Sequence, residues 1–234
     1  MRVHVAFTPA EEVAAPVGIV IDVLRATSTI CQALAGGYEQ VLCAGEVEDA
    51  RALASAEGQA PLAGERLCVK IEGFDFGNSP REFANGAPKG STLVLTTTNG
   101  TRLLLAAASR CETVLVGSLL NLGAVVDAAK ASGAEDVAVL CAGVRGELAL
   151  DDAYCAGRIA EALGGEPADS AAAAIRLAHT FSSHEEGLGS SKSASNLRNA
   201  GLDEDIAWCA QESVLDVVPR VVARRGSSVQ VAVA

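Results

Sequence analysis

Four segments of this 234-residue chain carry side chains able to hold an anion or a hard cation. In the first, the apolar run Val17–Ile21 ends at Asp22, followed by Arg25, Thr27 and Ser28. A carboxylate at the end of a buried strand is costly without a partner. A bound cation resolves that cost, and so does Arg25, which serves equally as the ionic partner of Asp22 or as a bidentate ligand for phosphate or carboxylate. The second segment is Thr96-Thr97-Thr98-Asn99-Gly100-Thr101. Hydroxyls, an amide and a glycine just before a helix form an anion cradle, with backbone N–H groups and the helix dipole aimed at the ligand. A plain polar turn with a cap is the competing reading, but four threonines exceed what capping needs. No GKS or GKT follows, so this is not a Walker A loop.

The third segment runs from Cys141 to Asp152. Gly143 and Gly146 permit a tight turn, Arg145 offers a cation, and Glu147, Asp151 and Asp152 bring carboxylates to a helix start. Acids suit a helix N-terminus through the dipole alone. Two adjacent carboxylates beside a glycine turn also suit Mg²⁺, which takes oxygen ligands and keeps several waters. Cys141 reads as a small buried residue rather than a nucleophile, since no neighbouring His or Lys would activate it. The fourth segment is the aperiodic stretch Gly64–Gly90, with Gly64-Glu65-Arg66 and then Gly73 to Glu82, including Asp75 and Asn78. Ser79 and Pro80 predict a cap and first helical position. A loop this rich in special residues is more often functional than idle.

His4, His179 and His184 show no metal-ligand spacing. Lys192 and Arg198, in a polar helical segment, are better placed to close over an anion, although an exposed helix face explains them too.

An alternation of strand, turn and helix must position these groups. Strands are predicted at Val3–Phe7, Val17–Ile21, Gln40–Cys43, Leu93–Leu95, Val114–Val116 and Val137–Leu140, with two more near Val214–Val218 and Val229–Val233. Continuous apolar runs of this kind mark strands covered on both faces. Helices are predicted over Ile30–Leu34, capped by Thr27 and Ser28, over Glu46–Ala56 and Arg102–Ser109, from Asp151-Asp152 onward, and through most of 169–211. The expected fold is α/β: a largely parallel sheet with helices on both faces and the segment near 169–211 covering the site. No composition break divides the chain, so a single domain over 1–234 is expected.

Composition narrows the function. A formal charge of −11 argues against nucleic-acid binding, which needs concentrated Lys and Arg. It also requires that any anion site be made locally positive by a metal or by placed arginines. Seven widely spaced cysteines with no CxxC pair predict reduced thiols. No apolar run approaches the ~20 residues of a membrane span, and acids at Glu11 and Glu12 interrupt any signal-peptide core. A cytoplasmic protein without membrane contact is expected. For its oligomeric state a homodimer is the generic expectation.

Taken together, Val20 to Thr27, Gly64-Glu65-Arg66, Gly73 to Pro80, Thr96 to Thr101 and Cys141-Ala142-Gly143 resemble the 2-phosphosulfolactate phosphatases. The resemblance continues to the region of Asp205 and Pro219 and so covers nearly the whole chain. Asp151 stands where the family pattern has Glu, and Ala194 where Gly is common; neither departure removes a charge. The resemblance implies Mg²⁺-dependent hydrolysis of 2-phospho-3-sulfolactate to sulfolactate and phosphate, a step toward coenzyme M. On that reading Asp22 and Asp152 are catalytic with Arg25, and Mg²⁺ is held by Asp22 and Asp152 with Asp151 or Glu65. Phosphate meets Arg25, Thr96, Thr97, Thr98 and Asn99, while Arg66, Asn78, Arg145 and Lys192 complete substrate binding. Two alternatives remain open: a phosphatase for another small phosphorylated hydroxy acid, and a non-catalytic binder of anionic metabolites.

Overall fold

Val17, Ile19 and Ile21 enter one apolar core while Val20 enters another, so this strand is buried on both faces. The computed structural model describes residues 1–86 and 91–233. The last four residues of the aperiodic stretch, 87–90, lie outside the described residues. In chain order the elements begin with β1 (Arg2–Ala6), β2 (Val17–Ile21), α1 (Ala26–Ala35), β3 (Tyr38–Ala44) and α2 (Val47–Ala56). They continue with β4 (Leu62–Arg66), β5 (Val69–Lys70), a 3₁₀ turn at Pro80–Phe83, β6 (Ser91–Thr96) and α3 (Gly100–Ala107). Next come β7 (Thr113–Gly117), α4 (Leu122–Ala131), β8 (Asp136–Cys141), α5 (Leu150–Leu163) and β9 (Glu166–Pro167). The chain ends with α6 (Asp169–Ala178), α7 (His184–Gly189), α8 (Lys192–Asn199), α9 (Glu204–Cys209), β10 (Pro219–Arg225) and β11 (Ser228–Val233).

The expected α/β fold is present, and its sheet is mostly parallel. The strand order is β5-β4-β6-β3-β11-β10-β7-β2-β8-β1-β9. Two parallel blocks, β4-β6-β3 and β7-β2-β8-β1-β9, are joined by the antiparallel hairpin β10–β11. Because β10 opposes β7 and β11 opposes β3, the two blocks run in opposite senses through the ladder. Strand-to-strand twist of about 20–25° accumulates along such a sheet. The carboxyl ends of β2 and β6 nevertheless meet: a Cβ on Gly100, just past β6, would stand 2.6 Å from Asp22 Oδ2.

Helices cover both faces. α4 and α5 pack on the face that holds Ile19 and Val139, and α1 and α3 on the face that holds Val20 and Leu140. α2 lies over Leu42 and Val94 of the second block.

Several predicted boundaries change. α1 starts at Ala26 rather than near Ile30, because Thr27 and Ser28 do not cap it. Their hydroxyls instead donate back to the carbonyls of Asp22 and Val23. β4, inside the stretch expected to be aperiodic, is a parallel strand beside β6. The strand predicted at Val214–Val218 lies at Pro219–Arg225, where pairing with β11 and β7 fixes it. α4 was not predicted at all. The segment near 169–211 covers the site only in part, since α8 and α9 reach it while α6 and α7 pack on α5 and β1. No helix among the described residues is long and apolar enough to cross a membrane.

Candidate active site

The β2–α1 turn is built around one carboxylate. Asp22 Oδ1 accepts the Ala26 N–H at 3.2 Å, and the Gly100 N–H also bonds this group. The N-termini of α1 and α3 therefore converge on Asp22, the favourable place for negative charge. Burial dominates all the same and pushes its pKa up to about 7, with the charges of Glu65 and Asp151 adding to the rise.

Asp22 faces a cavity of about 90 Å³ shared by Arg25, Glu65, Asn78, Thr98, Asn99 and Arg145. Leu24, Leu67, Cys68, Val144, Ser193 and Asn196 complete the wall. Seven of the residues singled out in the sequence thus meet in one place, from the β2, β4, β6 and β8 ends and the loop before the 3₁₀ turn. Two larger recesses adjoin it. One, of about 490 Å³, shares Arg25, Cys68 and Asn78 and adds Lys70 and Arg81. The other, of about 340 Å³, shares Leu67, Cys68, Arg145 and Asn196.

Arg25 is not the partner of Asp22. Its Nη1 donates to Asp205 Oδ2 at 2.6 Å, an ion pair buried on both sides. Both oxygens of Glu65 also accept hydrogen bonds. Its Oε1 accepts the Thr98 N–H and hydroxyl, each at 2.9 Å, and its Oε2 accepts the Cys68 N–H at 2.9 Å. It ties the β4–β5 turn to the threonine loop. Asn78 Oδ1 is buried in the cavity wall and has no hydrogen-bond partner among the described residues.

The other singled-out residues lie behind or beside this cavity. Asp152 is buried and spans two turns, its Oδ1 accepting from Val23 N and its Oδ2 from Gly143 N, both at 2.9 Å. Burial, followed by the charges of Asp151 and Asp22, holds its pKa well above the ordinary carboxylate range. Asp151 accepts the Ser193 hydroxyl at 3.0 Å, and burial pushes its pKa up to about 6. Thr97 exchanges bonds with Thr101, and Thr96 Oγ1 accepts from Arg66. Arg66 thereby points into the threonine turn rather than the cavity. Lys192 is exposed on the outer face of α8, and Arg198 bonds the Gly189 carbonyl. The histidines pair elsewhere: His4 with Asp136, His179 with Glu161, and His184 with Tyr154 and Glu212. Cys141 is buried, its thiol raised by burial.

Ser193, Asn196 and Asp205 were the residues that spacing missed. The charges of α8 single out Lys192 and Arg198 in the sequence, but its buried apolar residues are Ala194 and Leu197. Ser193 and Asn196 flank that inward stripe, and apolar periodicity would have turned them toward the site.

The residues present fit a hard cation. Among the described residues no three His, Cys, Asp or Glu side chains form a ready cluster. Mg²⁺, however, is commonly held by one or two carboxylates together with waters and substrate phosphate. Asp22 and Glu65 are the two carboxylates on the cavity wall, with Asp151 and Asp152 close behind. Burial favours the protonated forms of Asp22, Asp151 and Asp152, and a bound cation would favour their charged forms and offset that charge toward a polyanion.

A profile of the family described as 2-phosphosulpholactate phosphatase matches residues 4–224. A Thermus thermophilus protein named probable 2-phosphosulfolactate phosphatase is 39% identical over 233 residues, covering 97% of this chain and 98% of its own length. Proteins of the same name from Deinococcus radiodurans and Thermotoga petrophila are 40% and 37% identical. These cover 88% and 94% of this chain, and 88% and 95% of their own lengths.

Proposed function

The chain belongs to the 2-phosphosulpholactate phosphatase family, and from that premise we propose that it hydrolyses 2-phospho-3-sulfolactate to 3-sulfolactate and phosphate, a step toward coenzyme M. The observation that carries this reading is the meeting of Asp22, Arg25, Glu65, Thr98, Asn99 and Arg145 around one cavity.

Phosphate-monoester hydrolysis is among the slowest uncatalysed reactions, with enzymatic acceleration approaching ~10²¹-fold. One general base supplies only about 10²–10⁴-fold. Charge stabilisation must therefore carry most of the effect. Asp22, with Glu65 beside it, would hold Mg²⁺, which when bound offsets the charge on the phosphoryl oxygens. Arg25 presents its planar fork to the same oxygens. Thr98 and Asn99, just before α3, offer a hydroxyl, an amide and the positive end of the helix dipole. Arg145 meets a second acidic group of the substrate. Asp152 binds no substrate atom; it joins the β2–α1 and β8–α5 turns so that Asp22 and Arg145 keep their spacing.

The test compares phosphate release from 2-phosphosulfolactate, phospholactate and phosphoglycolate with Mg²⁺ present. Preference for the sulfonated ester supports the reading. Equal rates on all three would assign the chain to another phosphorylated hydroxy acid, and tight binding without release would make it a binding protein.

A further inference from the structure

We infer that Asp205 is a positioning residue, which locks the Arg25 guanidinium in place before an anion arrives. The inference rests on the proposed phosphatase reading, and deepens it by naming what orients the cation of the site. Arg25 and Asp205 lie 180 residues apart in sequence. Their side chains are 3% and 0% exposed, and Nη1 meets Oδ2 at 2.6 Å. The second oxygen of Asp205 is also taken, accepting the Ser79 hydroxyl at 2.6 Å. Ser79 is fixed in turn as the N-cap of the 3₁₀ turn, in a capping box with Glu82. Asp205 therefore cannot swing without breaking two short bonds. The β2–α1 turn, the 3₁₀ turn and α9 are held at one point.

The Arg25 guanidinium makes no other hydrogen bond among the described residues, yet it lines both the central cavity and the larger recess beside it. A guanidinium has five N–H donors. One faces Asp205, and the rest of the fork is left for a ligand. A flexible arginine loses rotamer freedom when it closes on an anion, and ordering it beforehand removes that cost from binding. A pair serving stability alone is often replaceable by apolar residues without loss, and nothing would then require it at the cavity wall.

The experiment measures the Kd of inorganic phosphate in the presence of Mg²⁺ by calorimetry, alongside kcat and KM, for wild type, Asp205→Asn, Arg25→Ala and the double variant. Asp205→Asn is expected to weaken phosphate about 10-fold or more, while in the Arg25→Ala background it changes Kd less than about twofold, because contacting residues are non-additive. A folded Asp205→Asn protein that binds phosphate as wild type does, or an equal loss in both backgrounds, overturns the inference. If Asp205→Asn does not fold, Ser79→Ala carries the test, with about a 3-fold or larger weakening expected from loss of one hydrogen bond and unchanged affinity overturning it. A wild type that binds no phosphate also overturns it. A wild type that binds phosphate with the expected non-additivity but hydrolyses no monoester sinks the phosphatase reading and leaves the role of Asp205 standing.

Discussion

Gly100 and Asp22, one at the start of α3 and the other at the end of β2, are in direct contact. A Cβ on Gly100 would stand 2.6 Å from Asp22 Oδ2 and 2.6 Å from the Ala26 methyl. In an ordinary helix Gly→Ala is stabilising by roughly 0.5–1 kcal/mol. Here the added methyl meets a carboxylate oxygen and a neighbouring helix, and overpacking of this kind costs about 1–3 kcal/mol. Gly100→Ala is therefore expected to lower Tm and to reduce phosphate release by displacing Asp22. A variant with higher Tm and full turnover would show that the two turns part freely.

Asp22 is one of two carboxylates, with Glu65, that both the sequence and the cavity single out. Asp22→Asn keeps the size of the side chain while removing its charge. Phosphate release is expected to fall by about 10²–10³-fold or more, the scale of losing one charge-stabilising group. In wild type, release should stop with chelator and return with Mg²⁺. Thermal shifts give a second readout, since Mg²⁺ should raise the Tm of wild type and not of Asp22→Asn. A folded, fully active Asp22→Asn removes this residue from the reaction.

The pH dependence of metal-free stability follows from the same cluster. Asp22 is raised from 3.8 to about 7 and Asp151 from 3.8 to about 6, in each case chiefly by burial. Between the unfolded and folded pKa values the native state binds more protons, so stability falls as pH rises. The contribution is complete below the unfolded pKa and lost as pH climbs through 6 and 7. With chelator present, Tm is expected to fall between pH 5 and pH 8, and less so in Asp22→Asn. Mg²⁺ competes with these protons, so its stabilising shift should be larger at the alkaline end. A chelated Tm that rises across this interval would contradict the assignment.

How far the sequence could be read depended on whether each signal was local. Asp22 was legible because an apolar run ends on it. The threonine loop was legible because its hydroxyls outnumber the needs of a cap. β4 was not, since Gly64 breaks its alternation. That glycine is required there, as a Cβ would lie 2.2 Å from the Thr96 carbonyl oxygen. α4 was hidden because the chain from Val114 to Val126 is apolar with little period. The partner of Arg25 could not be found from spacing, since Asp205 is brought to it only by the packing of α9. The charge of Lys192 marks it as an anion ligand in the sequence, but the helix turns that charge outward.

Asn78 provides the last test, because its side chain is built against stability. Its Oδ1 is buried in the cavity wall and unpaired among the described residues, while its backbone carbonyl accepts the Thr29 hydroxyl at 3.0 Å. A buried acceptor without a partner costs about 1–3 kcal/mol. Such a cost is retained at functional sites where a bound donor repays it; the oxygens of a phosphate ester are acceptors, so the donor to Oδ1 would be a water held by the proposed Mg²⁺. Asn78→Leu, similar in volume and without the polar atom, is therefore expected to keep or raise the Tm. Its KM for the phosphate ester should rise, with kcat/KM falling about 10-fold or more, since a site built for a polar contact discriminates strongly when that contact is lost. Asn78→Asp should do worse than Asn78→Leu, because it adds another negative charge beside Asp22 and Glu65. Steady-state kinetics and thermal melts on the two variants decide the matter. A marked loss of Tm in Asn78→Leu with unchanged KM would mean that the side chain serves packing and not the substrate.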